Sequence, residues 1–210
     1  MGKITAIEVQ KRNKKRCNIY IDGEYSFSIS NELVYRNGLK NNIEIDEERF
    51  LEIAKEDSFL KCKETALRII ERSYKSEKEM KEKLLEKGYE LEEINRTMAF
   101  LIDYNFINNK AYAEMYVKDR LRNQGSKKIK YALLRKGIEE NIIEEVIGNI
   151  NNENEELVAL ELGKKKYTQL IKKEGDPYKI KNKILMFLVG RGYEYSLAKD
   201  IVNRIINNEY

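Results

Sequence analysis

Apolar positions recur with two different periods along this chain. In residues 1–59 they alternate. Ile4-Thr5-Ala6-Ile7-Glu8-Val9 reads as a strand. Ile19-Tyr20-Ile21 and Glu24-Tyr25-Ser26-Phe27-Ser28-Ile29 read as two strands of a hairpin, joined by Asp22-Gly23. Asp-Gly suits a two-residue type I′ turn because both central residues need positive φ. The pattern predicts about three antiparallel strands and a helix from about Asn31 to Tyr35. A second short helix is expected from Asp46 to Lys55, capped by Asp46 with Glu47 and Glu48 at its positive end.

From about residue 60 the period becomes 3.6 and stays there. Ala66, Ile69, Ile70 and Tyr74 form one stripe; Met80, Leu84 and Leu85 form a second behind a Ser76-Glu77-Lys78-Glu79 capping box. Leu91, Ile94, Met98, Leu101 and Ile102 form a third. Two further sets follow. One runs through Tyr112, Tyr116, Val117 and Leu121, then Ile129, Leu133 and Leu134, then Ile143, Ile147 and Ile150. The other has a long first helix from Glu155 to Lys173, and Asp176-Pro177 opens its second, with proline at the first helical position. Ile180, Ile184, Leu188, Ala198, Val202 and Ile205 complete it.

The three sets share a phrase: Lys83-Leu84-Leu85-Glu86-Lys87-Gly88-Tyr89, Ala132-Leu133-Leu134-Arg135-Lys136-Gly137-Ile138 and Phe187-Leu188-Val189-Gly190-Arg191-Gly192-Tyr193. Aligned through it, Leu84, Leu133 and Leu188 superpose. So do Gly88, Gly137 and Gly192, then Met98, Ile147 and Val202, then Leu101, Ile150 and Ile205. Repeats spaced about 50 residues apart mark arrays of supersecondary units that bury apolar faces on one another. A glycine at such a helix end is a C′ stop, where positive φ is cheap. The expected fold is mainly α: three tandem three-helix repeats in an elongated array, preceded by a small N-terminal β-hairpin-containing α+β unit. The boundaries fall at 1–59, 60–108, 109–150 and 151–210, with the polar run 151–154 as a joint.

Composition removes several classes of function. Histidine is absent from the 210 residues, and with it the commonest general base and metal ligand. No Walker-type phosphate loop occurs. Acidic residues lie beside lysines at i,i+4 spacing, the pattern of surface ion pairs. No cofactor, metal or catalytic residue is expected. No apolar run reaches the roughly 18 residues that span a membrane, and Cys17 and Cys62 lack CxxC spacing. The reading is a cytoplasmic protein.

Net charge is only +4, but it is unevenly placed. Between residues 118 and 136 stand Lys118, Arg120, Arg122, Lys127, Lys128, Lys130, Arg135 and Lys136, against Asp119 alone. They straddle a turn, Asn123-Gln124-Gly125-Ser126, whose helix-flanking amides add to a natural phosphate site. A second basic run, Lys11, Arg12, Lys14, Lys15 and Arg16, lies between the first two strands. It either grips phosphates or blunts a sheet edge. Tyr104, Phe106 and Tyr112 sit at helix spacing, which points to core rather than to base stacking.

The stretch Asn109-Lys110-Ala111-Tyr112-Ala113-Glu114-x-Tyr116-Val117, Arg120-Leu121-Arg122, Gly125-Ser126-x-x-Ile129-x-x-x-Leu133-x-x-Lys136-Gly137-Ile138 resembles the core signature of the RecX family. The first and third repeats look like the same family, through Ser76-x-x-Glu79-Met80 with Leu84-x-x-Lys87-Gly88-Tyr89, and Phe187-Leu188-x-x-Arg191-Gly192-Tyr193. The N-terminal strands, with Arg16-x-x-Ile19-Tyr20-Ile21-Asp22-Gly23-Glu24-Tyr25-x-Phe27, resemble the extension of longer members from low-GC Gram-positive bacteria. Asn108-Asn109 and Gly125-Ser126 depart from the acidic pair and Gly-Pro common in the family. The resemblance implies a non-enzymatic regulator of RecA. Such a protein binds RecA filaments on single-stranded DNA, with duplex DNA as a second ligand, and acts as a monomer without cofactors. A stand-alone helix-turn-helix DNA-binding regulator is the alternative. The contact residues expected from charge are Arg120, Arg122, Lys127, Lys128, Lys130, Arg135 and Lys136, with Lys11 to Arg16 secondary.

Overall fold

A computed structural model of the chain describes residues 2–150 and 152–207. They form two compact units, Met1–Ser73 with Met80–Tyr104, and Tyr74–Glu79 with Asn105–Tyr210.

The first unit begins with an antiparallel sheet of β1 (Gly2–Val9), β2 (Arg16–Ile21), β3 (Glu24–Ser30) and the two-residue β4 (Glu44–Ile45), in the order β3-β2-β1-β4. Asp22 and Gly23 take φ of 49° and 91°, as the tight hairpin requires. Helix α1 (Asn31–Arg36) follows directly, its first turn capped by Ser30, whose hydroxyl accepts from Leu33 N at 3.2 Å.

The expected short helix at 46–55 is instead the first part of α2 (Glu47–Arg72). Asp46 caps it as the sequence indicates, accepting from Arg49 N at 2.7 Å. No glycine, proline or second cap lies between Glu47 and Arg72, so nothing stops the helix at residue 59. Its first half covers the sheet, with Ile53 in a cluster that includes Ile4, Ile19, Ile29, Leu33 and Ile45. Phe50 packs edge-on against Phe27, ring centroids 4.5 Å apart. Its second half contributes Cys62 and Ala66 to the first repeat, where Met80 and Leu84 of α3 (Glu77–Glu86) and Ile94, Met98 and Leu101 of α4 (Leu91–Asp103) are also buried. Tyr74 lies beyond the end of α2, and it, Leu85, Leu91 and Ile102 are exposed rather than inward as their spacing suggested.

The second unit holds two complete repeats. Helices α5 (Asn109–Arg120), α6 (Ser126–Arg135) and α7 (Glu140–Gly148) enclose Tyr112, Ala113, Val117, Ile129, Leu133, Ile138, Ile143 and Val146. Helices α8 (Asn152–Leu170), α9 (Pro177–Gly190) and α10 (Tyr195–Asn207) enclose Leu160, Ile184, Leu188, Tyr193, Ile201, Val202 and Ile205 among others. Of the run expected as a joint, Asn151 lies outside the described residues, and α8 is already helical from Asn152.

Leu84, Leu133 and Leu188 are each fully buried. Gly88, Gly137 and Gly192 take φ of 82°, 77° and 93°. Each corner is a Schellman turn. The amide after the glycine bonds back to the leucine carbonyl, as in Tyr89 N to Leu84 O (3.3 Å), Ile138 N to Leu133 O (3.1 Å) and Tyr193 N to Leu188 O (3.3 Å). The superposition read from the sequence is thus a structural one.

The second and third repeats each keep an apolar cluster of their own, with no residue in common. Their seam is polar backbone. Gly125 N donates to Arg191 O at 3.0 Å and Lys127 N to Gly192 O at 3.2 Å, so the last carbonyls around α9 bond to the first amides of α6. Opposed helix ends of this kind satisfy each other's orphan groups and align their dipoles. The same device recurs one repeat earlier within this unit: Ser76 Oγ donates to Lys136 O at 2.7 Å, and Lys78 Nζ to Arg135 O at 3.1 Å. At the far end α9 is a turn longer than α6 and is closed by its own residues. Asp176 accepts from Tyr178 N at 2.9 Å, and Pro177 has no amide to offer.

Candidate nucleic-acid interface

The basic stretch runs from the end of α5, through the loop 121–125, along α6 to its corner. Asn108 caps α5, accepting from Ala111 N at 3.0 Å, so the departure from an acidic pair leaves the helix start intact. The amides at the start of α6, however, are taken. Besides the bonds to Arg191 and Gly192, Ser126 N donates to the buried Glu155, at 2.8 Å from its carboxylate oxygen. A phosphate cannot use the amides of Gly125, Ser126 and Lys127, which corrects the expectation of a helix-terminus anion site there.

Nor are the cations of this stretch uniformly uncompensated. Lys136 Nζ meets Glu79 Oε1 at 2.5 Å and stands over the rings of Tyr112 and Tyr116, at 5.6 and 5.5 Å. Burial disfavours its charge, but Glu79 and Tyr112 outweigh this and raise its pKa. Glu79 in turn completes the capping box with Ser76, accepting from Ser76 N at 3.2 Å while Glu79 N donates to Ser76 Oγ at 3.2 Å. Lys136 is therefore committed to holding one repeat to the next. Lys130 lies between Glu140 (2.7 Å) and Glu144 (3.2 Å), and hydrogen bonds to both raise its pKa. Lys127 faces Glu194 at 3.5 Å, and Arg120 lies 3.5 Å from Asp119 with its guanidinium over Tyr116.

Three members of the set remain without an ion pair among the described residues: Arg122 in the loop, Lys128 on α6, whose ammonium reaches only Gly190 O at 3.4 Å, and Arg135. All three are exposed. Exposed pairs such as Lys127–Glu194 and Lys130–Glu144 are screened by water and contribute little, so a phosphate can displace the acid at little cost. Lys136, about three-quarters buried, is a different case.

The N-terminal run divides in the same way. Lys11, Arg12, Lys14 and Lys15 are exposed on the turn between β1 and β2. The turn is pinned by Arg16 N to Asn13 O (3.0 Å) and Asn31 Nδ2 to Lys14 O (2.7 Å). A cavity of about 520 Å³ lies beside it, with Lys14, Lys15, Lys61 and Lys63 in its wall. Arg16 lines the same cavity, but its guanidinium is already engaged. It donates to both oxygens of Asp57, at 3.1 and 2.9 Å, and to Ser28, so it bears a structural load in the first unit. Sequence spacing gives no mark of this role, because as the first residue of β2 Arg16 falls on the face opposite the inward Cys17 and Ile19.

The aromatics follow burial more closely than spacing. Tyr112 is 8% exposed and belongs to the core as expected, whereas Tyr104 (68%) and Phe106 (44%) lie at the surface. Among the described residues no cluster of three or more metal-type ligands occurs, and no helix is long and apolar enough to cross a membrane.

Comparison with known proteins places all of these elements in one lineage. The RecX N-terminal domain matches residues 2–46, and the first, second and third RecX three-helix domains match residues 62–101, 108–147 and 154–202. Regulatory protein RecX of Clostridium perfringens is 51% identical over 210 residues, covering 100% of this chain and 99% of the relative. That of Clostridium beijerinckii is 47% identical over 206 residues, covering 98% and 97%. A crystal structure of regulatory protein RecX superposes with a TM-score of 0.75 at 26% identity, covering 100% of both chains. RecX from Lactobacillus salivarius gives 0.64 at 26% identity, covering 71% of this chain and 97% of that one. A β unit followed by three corner-bearing helix triplets, matched in order and along its whole length, makes this chain a member of the RecX family of regulatory proteins.

Proposed function

We propose that the protein is a cytoplasmic, non-enzymatic regulator of RecA. It binds RecA filaments on single-stranded DNA and lowers their recombinase, ATPase and co-protease activity. The observation that supports this reading is the match to RecX proteins over the entire chain, β unit and all three repeats included. The charge that meets the filament's DNA is carried by Arg122, Lys128 and Arg135, joined by Lys127, Lys130 and Arg120 once their exposed acid partners are displaced. Lys11, Arg12, Lys14 and Lys15 are a second patch of the same kind. Lys136 and Arg16 are structural members of the original set.

RecA ATP hydrolysis on single-stranded DNA, titrated with substoichiometric amounts of the protein, tests the reading. Inhibition is expected well below one protein per RecA; unchanged hydrolysis at every ratio overturns it. Charge reversal at Arg122, Lys128 and Arg135 together should weaken inhibition about tenfold or more while the far-ultraviolet circular dichroism stays unchanged. If the triple variant inhibits normally, the DNA-facing surface lies elsewhere. A helix-turn-helix regulator would instead bind duplex DNA tightly without RecA, with a log–log salt slope near −5 for about six phosphate contacts. The covered N-terminus of α6 weighs against that reading for the second repeat, because its first-turn amides already hold the third repeat's corner.

A further inference from the structure

The three corners are alike in sequence and unlike in surroundings. A Cβ on Gly137 would lie 2.7 Å from Lys78 Cβ, and one on Gly192 would lie 2.6 Å from the backbone nitrogen of Lys128. Each of these corners is pressed onto the first turn of a helix. A Cβ on Gly88 would meet nothing within 4 Å. The cation before the glycine divides the same way. Lys136 reaches Glu79, and Arg191 reaches Asn123 O at 2.9 Å. Lys87 is exposed, with no side-chain hydrogen bond or ion pair among the described residues. The carbonyls of Lys87 and Gly88 accept nothing from those residues either, whereas Arg135, Lys136, Arg191 and Gly192 carbonyls all do.

Beside this open corner lies a cavity of about 530 Å³ in the first unit, walled by Thr65, Arg68, Ile69, Arg72, Lys87 and Tyr89. Arg72 also lacks an ion pair among the described residues. Arg68 meets only Glu64 of its own helix, at 3.7 Å with both groups exposed. The one acid on the rim, Glu86, approaches Lys83 at 3.9 Å. Three cations thus face a space that one carboxylate cannot neutralise.

We propose that the Lys87–Gly88 corner, with Arg68 and Arg72, is a docking site for a partner protein: it seats the first turn of a helix that carries a carboxylate. The occupant follows from what the two sister corners hold. Their carbonyls need donors, supplied by Ser76 Oγ and Lys78 Nζ in one case and by the amides of Gly125 and Lys127 in the other. The lysine of the second corner needs an acceptor, supplied by Glu79. A helix N-terminus with an acidic first turn offers both at once. A phosphodiester offers acceptors only and leaves the carbonyls unanswered. The inference rests on the proposed function, because the partner it fits is the protein that this chain regulates.

The experiment compares the full-length chain with Arg72→Glu/Lys87→Glu, measuring affinity for RecA–single-stranded DNA filaments and for the same DNA alone. The double variant should bind filaments about tenfold or more weakly while its affinity for bare DNA stays within about twofold. Lys87→Arg should bind as the parent does. An equal loss on bare DNA would make the site a phosphate contact and overturn the proposal, and unchanged filament binding would overturn it as well. A parent protein that binds no filament would sink the RecA reading and this inference with it. Thermal melting controls for folding; should charge reversal lower it, Arg72→Ala/Lys87→Ala carries the same comparison.

Discussion

Gly192→Ala should lower the stability of the third repeat far more than Gly88→Ala, although both glycines occupy the same place in the same phrase. At either position alanine must adopt positive φ, which costs ~1–2 kcal/mol. At Gly88 that is the whole effect, because the new methyl meets open space. At Gly192 it would sit 2.6 Å from Lys128 N and 2.9 Å from Lys128 Cα. Those atoms are backbone at the start of α6 and cannot swing aside. Overpacking of this kind adds ~1–3 kcal/mol, and separating the two helix ends also loses the bonds from Gly125 N and Lys127 N. For a chain of this size each kcal/mol lowers the melting temperature by roughly 2–4 °C. Gly192→Ala is therefore expected to melt ~4–20 °C below the parent and Gly88→Ala only ~2–8 °C below it. Hydrogen exchange localises the damage: the amides of Gly125 and Lys127 should lose protection in Gly192→Ala alone. Equal melting temperatures for the two variants would show that the corner seam carries no weight.

That contrast also explains how much could be read from the sequence. The glycine-stopped helix ends, the buried Leu84, Leu133 and Leu188, and the hairpin turn are local facts, encoded within four or five residues, and these stand in the structure. A glycine's role as a helix stop is local too. Its second role, admitting another backbone, depends on residues one repeat away, and the stop signal conceals it. Separation along the chain, within a repeat or between repeats, also hides the acids that meet the basic stretch. Lys136 finds Glu79, Lys130 finds Glu140 and Glu144, and Lys127 finds Glu194, all outside the window 118–136 in which charge was counted. Charge density along a chain becomes charge density on a surface only where no neighbouring repeat answers it. Arg122, Lys128 and Arg135 meet that condition, and no property of the stretch by itself singles them out. The long α2 was missed for the opposite reason. The change from period 2 to 3.6 looked like a boundary, yet a single helix simply exchanges its sheet-facing partners for helix-facing ones along its length.

Asp57→Ala is expected to be the most damaging single change in the first unit, costing ~3–5 kcal/mol, because it leaves a mostly buried arginine without its counter-charge. Asp57 is 3% exposed. It accepts from Arg16 Nη1 and Nη2, from Lys61 Nζ at 2.9 Å and from Ser30 N at 2.9 Å. It therefore ties β2, the start of α1 and α2 together at one carboxylate. Burial pushes its pKa up, but the hydrogen bonds and charges of Arg16 and Lys61 outweigh that and hold it below the ordinary value. A depressed folded pKa gives stability that is fully present above the unfolded value of ~3.9 and is lost as pH falls through the folded value. Urea unfolding from pH 7 to pH 2 should accordingly show the parent losing stability in the acid range, and Asp57→Asn losing less over the same range. Asp57→Asn should already be weaker at pH 7, since an amide answers Arg16 with one acceptor in place of a charged pair. If it is as stable as the parent there, the carboxylate is not what holds the sheet to α2. Arg16→Gln separates the two roles considered for that arginine. It should destabilise the first unit while leaving single-stranded DNA affinity within about twofold, whereas reversing Lys14 and Lys15 should do the opposite.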